Sequence, residues 1–352
     1  MGSVRFFVIL VRKPLYFGAV SSHYLGMLDK SEKPTIFVTR RWPEAAEAAL
    51  KRHFTPTFNP DDVPLTAAQI AAGFASHDAI APTVSDIITA EIIAAGKAGK
   101  GRLIANFGVG VNHIDLDAAG SAGIAVSNTP GVLTDATADL ALTLILMVSR
   151  RAGEGERELR SGGWEGWRPT HLMGRSLRDK TLGIIGMGRI GKAVAHRAAM
   201  GFGMKVIFFN RSPVTDITDY PAEQVADVDS LCESSDFISL HCAASPDTFH
   251  IVNATRLQLM RKDAYLINTA RGDVVDEVAL AAALAAGTIG GAGLDVFQGE
   301  PVIHPDILAA PNTVLLPHLG SATVEARTAM GLKVVANAEA FFAGKDLIDP
   351  VI

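Results

Sequence analysis

Six compact apolar segments recur between residues 180 and 320, several of them separated by helix-forming stretches, and this alternation restricts that part of the chain to a parallel α/β sheet. They read KTLGIIGMGRIG, MKVIFFNRS, DFISLHCAA, AYLINTARG, IGGAGLDVF and NTVLLPHLG. Five or six such strands make a doubly wound sheet of the kind that binds dinucleotides. The first segment carries the most informative spacing, because Gly186-Met187-Gly188-Arg189-Ile190-Gly191 matches G-x-G-x-x-G. Alone, that spacing arises by chance or marks a tight turn. Here it follows the strand TLGIIG and opens the helix RIGKAVAHRAA, the context in which Gly186 turns the chain, Gly188 admits a pyrophosphate and Gly191 lets helix and strand pack closely.

A sheet of this kind that binds NAD ends its next strand in Asp or Glu, about 20 residues on, to accept from the ribose hydroxyls. VIFFNRSP instead offers Asn210, Arg211 and Ser212. A carboxylate would repel a 2′-phosphate, whereas Arg and Ser donate to one. The expected cofactor is therefore NADP(H), with NAD(H) open; a solvated surface arginine is the competing reading of Arg211.

The N-terminal third repeats the α/β pattern on a smaller scale. TIFVTR (35–40) reads as a strand, Trp42-Pro43-Glu44 opens a helix through Leu50, and further strands are expected at Ala79–Ala81, Leu103–Asn106 and within GIAVSNTPG. TDATADLALTLILMVSR reads as a long helix, apolar on most of its circumference and so expected to lie between domains or subunits. RSGGWEGWRPTHLMGRSL looks like an excursion between elements, and Val324–Phe342 is an amphipathic helix returning to the first domain.

A length of 352 residues suits two domains. With 32 Lys and Arg against 37 Asp and Glu, and no basic run, nucleic acid is not an expected partner; neither is a membrane. Cys232 and Cys242 stand ten residues apart, which suits neither a zinc site nor a disulfide scaffold, so no metal and a reducing cytoplasm are expected. In residues 1–33 the apolar run Phe6–Val11 is closed by Arg12 and Lys13, too short for a signal-peptide core or a span. This segment is read as a disordered extension or a start-site artefact, Met27 offering an alternative start.

GMGRIG, LHCAASPDTFHIVN, LINTARGDVVDEVAL, GAGLDVFQGEP and LLPHLGSATVEAR, in this order and spacing, resemble the D-isomer-specific 2-hydroxyacid dehydrogenases over about residues 34–352, and most of all the glyoxylate/hydroxypyruvate reductases among them. The resemblance implies a Rossmann nucleotide-binding domain (131–319) inserted into a flavodoxin-like substrate domain (34–130 and 320–352). It implies reduction of a small 2-oxo acid to its 2-hydroxy acid, with Arg271, Glu300 and His318 as the catalytic set. The residue types suit that chemistry. A histidine delivers a proton near neutral pH, a carboxylate beside it favours the imidazolium and holds the ring, and an arginine offers parallel donors to a carboxylate and keto oxygen. Taken singly, each of the three reads more simply as a surface ion pair, a loop charge or a satisfied histidine.

The loop NFGVGVNHID offers the backbone N–H groups of Val109 and Gly110 for the substrate carboxylate, although a plain strand-ending turn would look the same. Phe107 in this loop either narrows the pocket or packs inward. Matching positions assign Arg189, Ile190, His241, Cys242, Thr248, Thr269, Ala270, Asp295 and Gly320 to the cofactor, with Asp295 near the nicotinamide amide. Trp164 and Trp167 fall in the excursion that embraces a second subunit in relatives, which implies a homodimer. Two other readings stay open: a phosphite dehydrogenase, disfavoured because Val109 stands where those enzymes have Lys, and a non-catalytic dinucleotide sensor like the corepressors that share the fold.

Overall fold

The structure is a computed structural model that describes residues 33–217 and 219–352; the expectation for residues 1–32 lies outside the described residues. Two parallel sheets organise the chain. The first contains β1 (Thr35–Val38), β2 (Thr55–Phe58), β3 (Ala79–Ala81), β4 (Leu103–Ala105) and β5 (Ala125–Ser127), in the order β2-β1-β3-β4-β5. That is the doubly wound flavodoxin-like order. Its crossovers are α1 (Glu44–His53), α2 (Ala67–Ser76), α3 (Ala90–Ala98) and α4 (Leu116–Ala122). Alternate residues of the short strands serve opposite faces. Ile36, Val38, Ala79, Ala81 and Leu103 pack with Ala46 and Leu50 of α1, while Ile80, Ile104 and Val126 pack with Ile70, Phe74 and Ile92 of α2 and α3. Each such fully buried Leu, Ile or Phe contributes about 1.5–3 kcal/mol relative to exposure.

After β5 the chain enters α5 (Thr134–Ser149) and α6 (Ala152–Arg160), then builds the second sheet. Its strands are β6 (Thr181–Ile185), β7 (Lys205–Phe209), β8 (Glu223–Gln224), β9 (Phe237–Leu240), β10 (Tyr265–Asn268), β11 (Gly291–Leu294) and β12 (Thr313–Leu315). The order β12-β11-β10-β9-β6-β7-β8 is the Rossmann arrangement with one added strand, so the order reverses at β6. The helices of this half are α7 (Arg189–Phe202), α8 (Val228–Ser234), α9 (Ala254–Leu259), α10 (Glu277–Ala285) and α11 (Pro305–Ala309), and α12 (Val324–Phe342) closes the series. Strands β9, β10 and β11 are buried at every position, as a sheet covered on both faces requires.

Three details go beyond the expectations. The six strands foreseen for the second sheet are joined by a seventh, β8, a two-residue edge strand. In the first sheet β2 was not foreseen; it carries Pro56, which an edge strand tolerates because one side of it needs no donor. The apolar helix α5 packs against α7 and β10–β12, so its buried circumference is covered by the second sheet and its neighbouring helix.

Helix α12 packs on α1 and β4. The residues after it pair antiparallel with β5: Val126 N–H donates to Ile352 O (3.3 Å) and Val351 N–H to Val126 O (2.8 Å). Asp349 fixes this tail to α12, accepting from Lys333 Nζ at 2.8 and 2.9 Å and from Asn337 Nδ2 at 3.0 Å. Among the described residues no helix is long and apolar enough to cross a membrane, and no group of three or more His, Cys, Asp or Glu is gathered to hold a metal ion.

Candidate active site

A cleft of about 1360 Å³ is lined by loops at the C-terminal ends of strands from both sheets. Open α/β sheets bind ligands at this edge because the faces are covered by helices. Among its lining residues are Val109, Gly110, Arg271, Asp295, Glu300 and His318.

The geometry of His318 begins with a buried carboxylate. Asp295, 1% exposed, follows β11 and accepts from Leu319 N–H at 2.6 Å and Gly320 N–H at 2.7 Å, while its own carbonyl accepts from His318 N–H at 2.8 Å. Thr137 Oγ1 donates to Gly320 O at 3.1 Å. These bonds hold His318 at φ +54°, in the left-handed region that a residue with a side chain occupies at a cost. Burial pushes the Asp295 carboxyl up to about 6, against the two amides that favour its charge. Sequence matching placed Asp295 against the cofactor; in the fold both its carboxylate oxygens serve the loop that carries His318.

The ring of His318 is oriented by Glu300, with Nδ1 2.8 Å from Oε2, while Oε1 accepts from Phe297 N–H at 2.8 Å. Burial raises the Glu300 carboxyl, but the hydrogen bond and charge of His318, the Phe297 amide and the charge of Arg271 outweigh it, so its pKa falls below the ordinary value. With Nδ1–H given to a carboxylate, Nε2 is the nitrogen left to exchange a proton with a molecule in the cleft.

Arg271 follows β10. Its Nη1 donates to Ala270 O at 2.7 Å and its Nε to Asn112 Oδ1 at 3.2 Å. Burial lowers the pKa of the guanidinium, and Glu300 opposes that. The guanidinium lies against Gly110 so closely that a Cβ there would fall 1.9 Å from Nη2, so a side chain at this position would displace the guanidinium. Around Gly110 every carbonyl is tied back. Gly108 O accepts from Asn106 Nδ2 (3.0 Å) and Thr129 N–H (3.0 Å), Val109 O from Asn128 Nδ2 (2.8 Å), and Gly110 O from Asn106 Nδ2 (3.1 Å). The N–H groups of Val109 and Gly110 donate to no acceptor among the described residues. Two free amides and a guanidinium therefore share one wall of the cleft, the donor set a small carboxylate needs. Phe107 does both of the things considered for it: it lines the cleft and packs on Trp42 with ring centroids 5.1 Å apart.

The glycine turn divides its labour as the spacing implies. Gly186 has φ +97°, and a Cβ on it would meet Cys242 N at 2.6 Å; one on Gly191 would meet Gly186 O at 2.3 Å. A Cβ on Gly188 would meet nothing within 4 Å, so the second glycine opens onto empty space at the start of α7. Unlike α8, α9 and α10, α7 has no side-chain cap, which leaves its first N–H groups for a phosphate. Thr269 Oγ1 is buried in the cleft wall with no hydrogen-bond partner among the described residues. These features fit a dinucleotide laid from α7 toward His318.

Other expected contacts are placed less simply. Ile190, His241, Cys242, Ala270 and Gly320 line the cleft. Desolvation pushes the His241 imidazole down to about 3, and its Nε2 lies 2.8 Å from Ser239 Oγ. Asn210 ties β7 to the glycine turn, accepting from Met187 N–H at 3.2 Å and donating to Ser212 O at 2.9 Å. Arg189, Arg211 and Ser212 are exposed, and neither arginine side chain has an ion pair or hydrogen bond among the described residues. Thr248 Oγ1 donates to Ala243 O at 2.7 Å within its own loop, away from the cleft lining. Sequence reading missed Asn106, Asn112 and Asn128, whose amides bind the carbonyls of the loop after β4 and the Arg271 guanidinium; clustered asparagines beside glycines read as turn formers.

Comparison with known proteins places this geometry. Residues 142–320 match the family model described as D-isomer specific 2-hydroxyacid dehydrogenase, NAD binding domain. A glyoxylate reductase of Thermococcus litoralis is 42% identical over 317 residues, 89% of this chain and 95% of that protein. A solved protein from Thermus thermophilus superposes with a TM-score of 0.82 at 40% identity, covering 90% of this chain and all of that one. An NADPH-dependent glyoxylate/hydroxypyruvate reductase from Sinorhizobium meliloti, solved with NADP and malonate, gives a TM-score of 0.81 at 34% identity over 91% and 97% of the two chains. With the Rossmann and flavodoxin-like sheets in place and the family's motifs at one cleft, the chain belongs to the D-isomer-specific 2-hydroxyacid dehydrogenases.

Proposed function

We propose that the protein reduces a small 2-oxo acid, glyoxylate or hydroxypyruvate before others, to its 2-hydroxy acid, and that it prefers NADPH to NADH. The observation that carries this reading is the His318–Glu300 pair at 2.8 Å, lining the same cleft as Arg271 and the free amides of Val109 and Gly110. The names of the Thermococcus and Sinorhizobium relatives support the substrate class, and the latter supports the cofactor. In this reading Arg271 and the two amides hold the carboxylate and polarise the carbonyl. His318 gives a proton from Nε2 to the keto oxygen, while Glu300 keeps Nδ1–H in place and balances the imidazolium. A reduced nicotinamide dinucleotide, when bound, supplies the hydride. Gly188 and the start of α7 hold its pyrophosphate, and Arg211, with Ser212 beside it, meets a 2′-phosphate. Initial rates over a panel of small 2-oxo acids with NADH and NADPH test the whole; absence of turnover with every acid would remove it.

Proton delivery has its own test. His318→Asn lowers kcat by about 10² or more, the range of a general acid, and leaves cofactor affinity nearly intact; an unchanged kcat where hydride transfer limits the rate removes His318 from the chemistry. The depressed pKa of Glu300 keeps its negative charge beside His318 down to acidic pH. Glu300→Gln deletes that charge, so the pH optimum for reduction moves to lower pH, and a superimposable profile contradicts the pairing.

The carboxylate wall is tested with oxamate on the cofactor-loaded protein. Arg271→Lys keeps a charge but loses the planar fork, and Gly110→Ala puts a methyl where Nη2 lies. Both weaken oxamate while sparing the cofactor. Parent-like affinity in both variants means the acid sits elsewhere.

Cofactor choice rests on the exposed Arg211. Charge-assisted hydrogen bonds contribute about 1.5–3 kcal/mol, so Arg211→Ala lowers the NADPH/NADH ratio of kcat/KM by about 10- to 100-fold. Asn210→Asp adds a carboxylate that repels the phosphate. A parent that favours NADH, or a ratio indifferent to both changes, defeats the preference.

We also infer a homodimer. Trp164, Trp167 and Met173 stand 53%, 82% and 65% exposed within one short stretch of chain, and large apolar side chains gathered at a surface mark an interaction site. Sedimentation at micromolar concentration gives a dimer mass; a monomer mass rules it out.

A further inference from the structure

The loop 107–113 presents a problem that its own sequence does not solve. Glycines at 108 and 110 leave the peptides between them free to rotate. In a trans peptide the C=O of one residue points opposite to the N–H of the next. Whichever way the Gly108 carbonyl points therefore decides whether Val109 shows the cleft an N–H or lies turned away from it. The same holds for Gly110 O and the N–H of Val111. A flip of the first peptide would replace a donor by an acceptor where an anion is to be held.

Something outside the glycines must set these carbonyls: Thr129 N–H holds Gly108 O at 3.0 Å, and Asn106 holds both. Its Nδ2 donates to Gly108 O at 3.0 Å and to Gly110 O at 3.1 Å. That use requires the amide to stand one way round, with Oδ1 on the far side. There His113 Nε2 lies 3.0 Å from Oδ1. His113 is 6% exposed and is not among the residues lining the cleft, so it sits behind the loop. Burial, then the nearby charge of Arg271, pushes its imidazole down to about 4, so the ring is neutral and carries one proton. Since Oδ1 can only accept, that proton is on Nε2. Asn106 is 0% exposed, so bulk solvent does not compete for either partner.

We propose that His113 and Asn106 form a positioning pair that locks the glycine loop with its donors toward the cleft, and that they thereby set affinity for the 2-oxo acid without touching it. The pair rests on the functional reading above for the identity of the ligand, though not for the geometry of the loop. In this arrangement Nε2–H of His113 fixes the rotamer of the Asn106 amide, the amide fixes two carbonyls, and those carbonyls aim the N–H groups of Val109 and Val111. The Asn128 amide performs the same service for Gly110 from the neighbouring strand end.

The test compares the parent with His113→Phe, which keeps ring volume without the donor, Asn106→Asp, which turns the donor toward the carbonyls into an acceptor, and His113→Gln, whose amide nitrogen replaces Nε2. Oxamate Kd on the NADPH-loaded protein and glyoxylate KM rise about tenfold in the first two, the weight of roughly one hydrogen bond. The fall in kcat is smaller than the rise in KM, NADPH Kd stays near the parent's, and His113→Gln restores the acid affinity. The amide resonances of Val109 and Val111 in the ligand-free protein move in His113→Phe and return in His113→Gln. Parent-like oxamate affinity in both damaging variants overturns the proposal. So does a parallel loss of kcat, acid and cofactor binding that Gln does not rescue, since that is the mark of general unfolding. If the parent itself neither binds oxamate nor reduces glyoxylate, the substrate reading fails alone. The ligand-free resonances then decide the pair, and unmoved Val109 and Val111 signals reject it.

Discussion

A parallel sheet covered by helices on both faces has only its strand ends to offer to a ligand, and that constraint governs this molecule. Phe237–Leu240, Tyr265–Asn268 and Gly291–Leu294 are buried without exception, so chemistry is confined to what immediately follows them. His241 comes after β9, Thr269 to Arg271 after β10, Asp295 after β11 and His318 shortly after β12. The first sheet adds the loop after β4. The cleft is thus the meeting of two rows of strand ends, and its precision is that of the sheets beneath it.

Within that frame the costly feature is His318, a residue with a side chain held at φ +54°. The neighbouring carboxylate of Asp295 meets the cost by accepting two successive amides, and it is itself buried to the point that its acidity weakens. Charge on Asp295 and placement of His318 are therefore coupled. A group chosen only for packing would not be a carboxylate, because burying one costs free energy that only these bonds recover.

Much of this was legible in the sequence because the signals were periodic or ordered. Ala79–Ala81 and Val324–Phe342 stand where apolar pattern and helical period put them. Arg271, Glu300 and His318 were found through motif order, and they face one cleft. What escaped notice lacked such a signal. Thr55–Phe58 holds a proline and alternates too briefly, and Glu223–Gln224 is two exposed residues at a sheet edge. Thr134–Ser149 showed that it is buried but not by what, since an all-round apolar helix looks alike under its own sheet or between domains. Asn106 and Asn128 were invisible as a clamp because their work is done on backbone carbonyls, one of them 19 residues away.

The antiparallel tail after α12 ties two matters usually treated apart. In the order β2-β1-β3-β4-β5, β5 lies at a margin of the first sheet, and an uncovered margin is a template for pairing with other molecules. The tail occupies it through Val126, and its Asp349 carbonyl also takes the N–H of Asn128, whose side chain restrains Val109. Resistance to aggregation and the shape of the cleft wall at Val109 thus pass through the same few residues. Anyone re-engineering the segment after α12 for solubility is also editing one wall of the cleft.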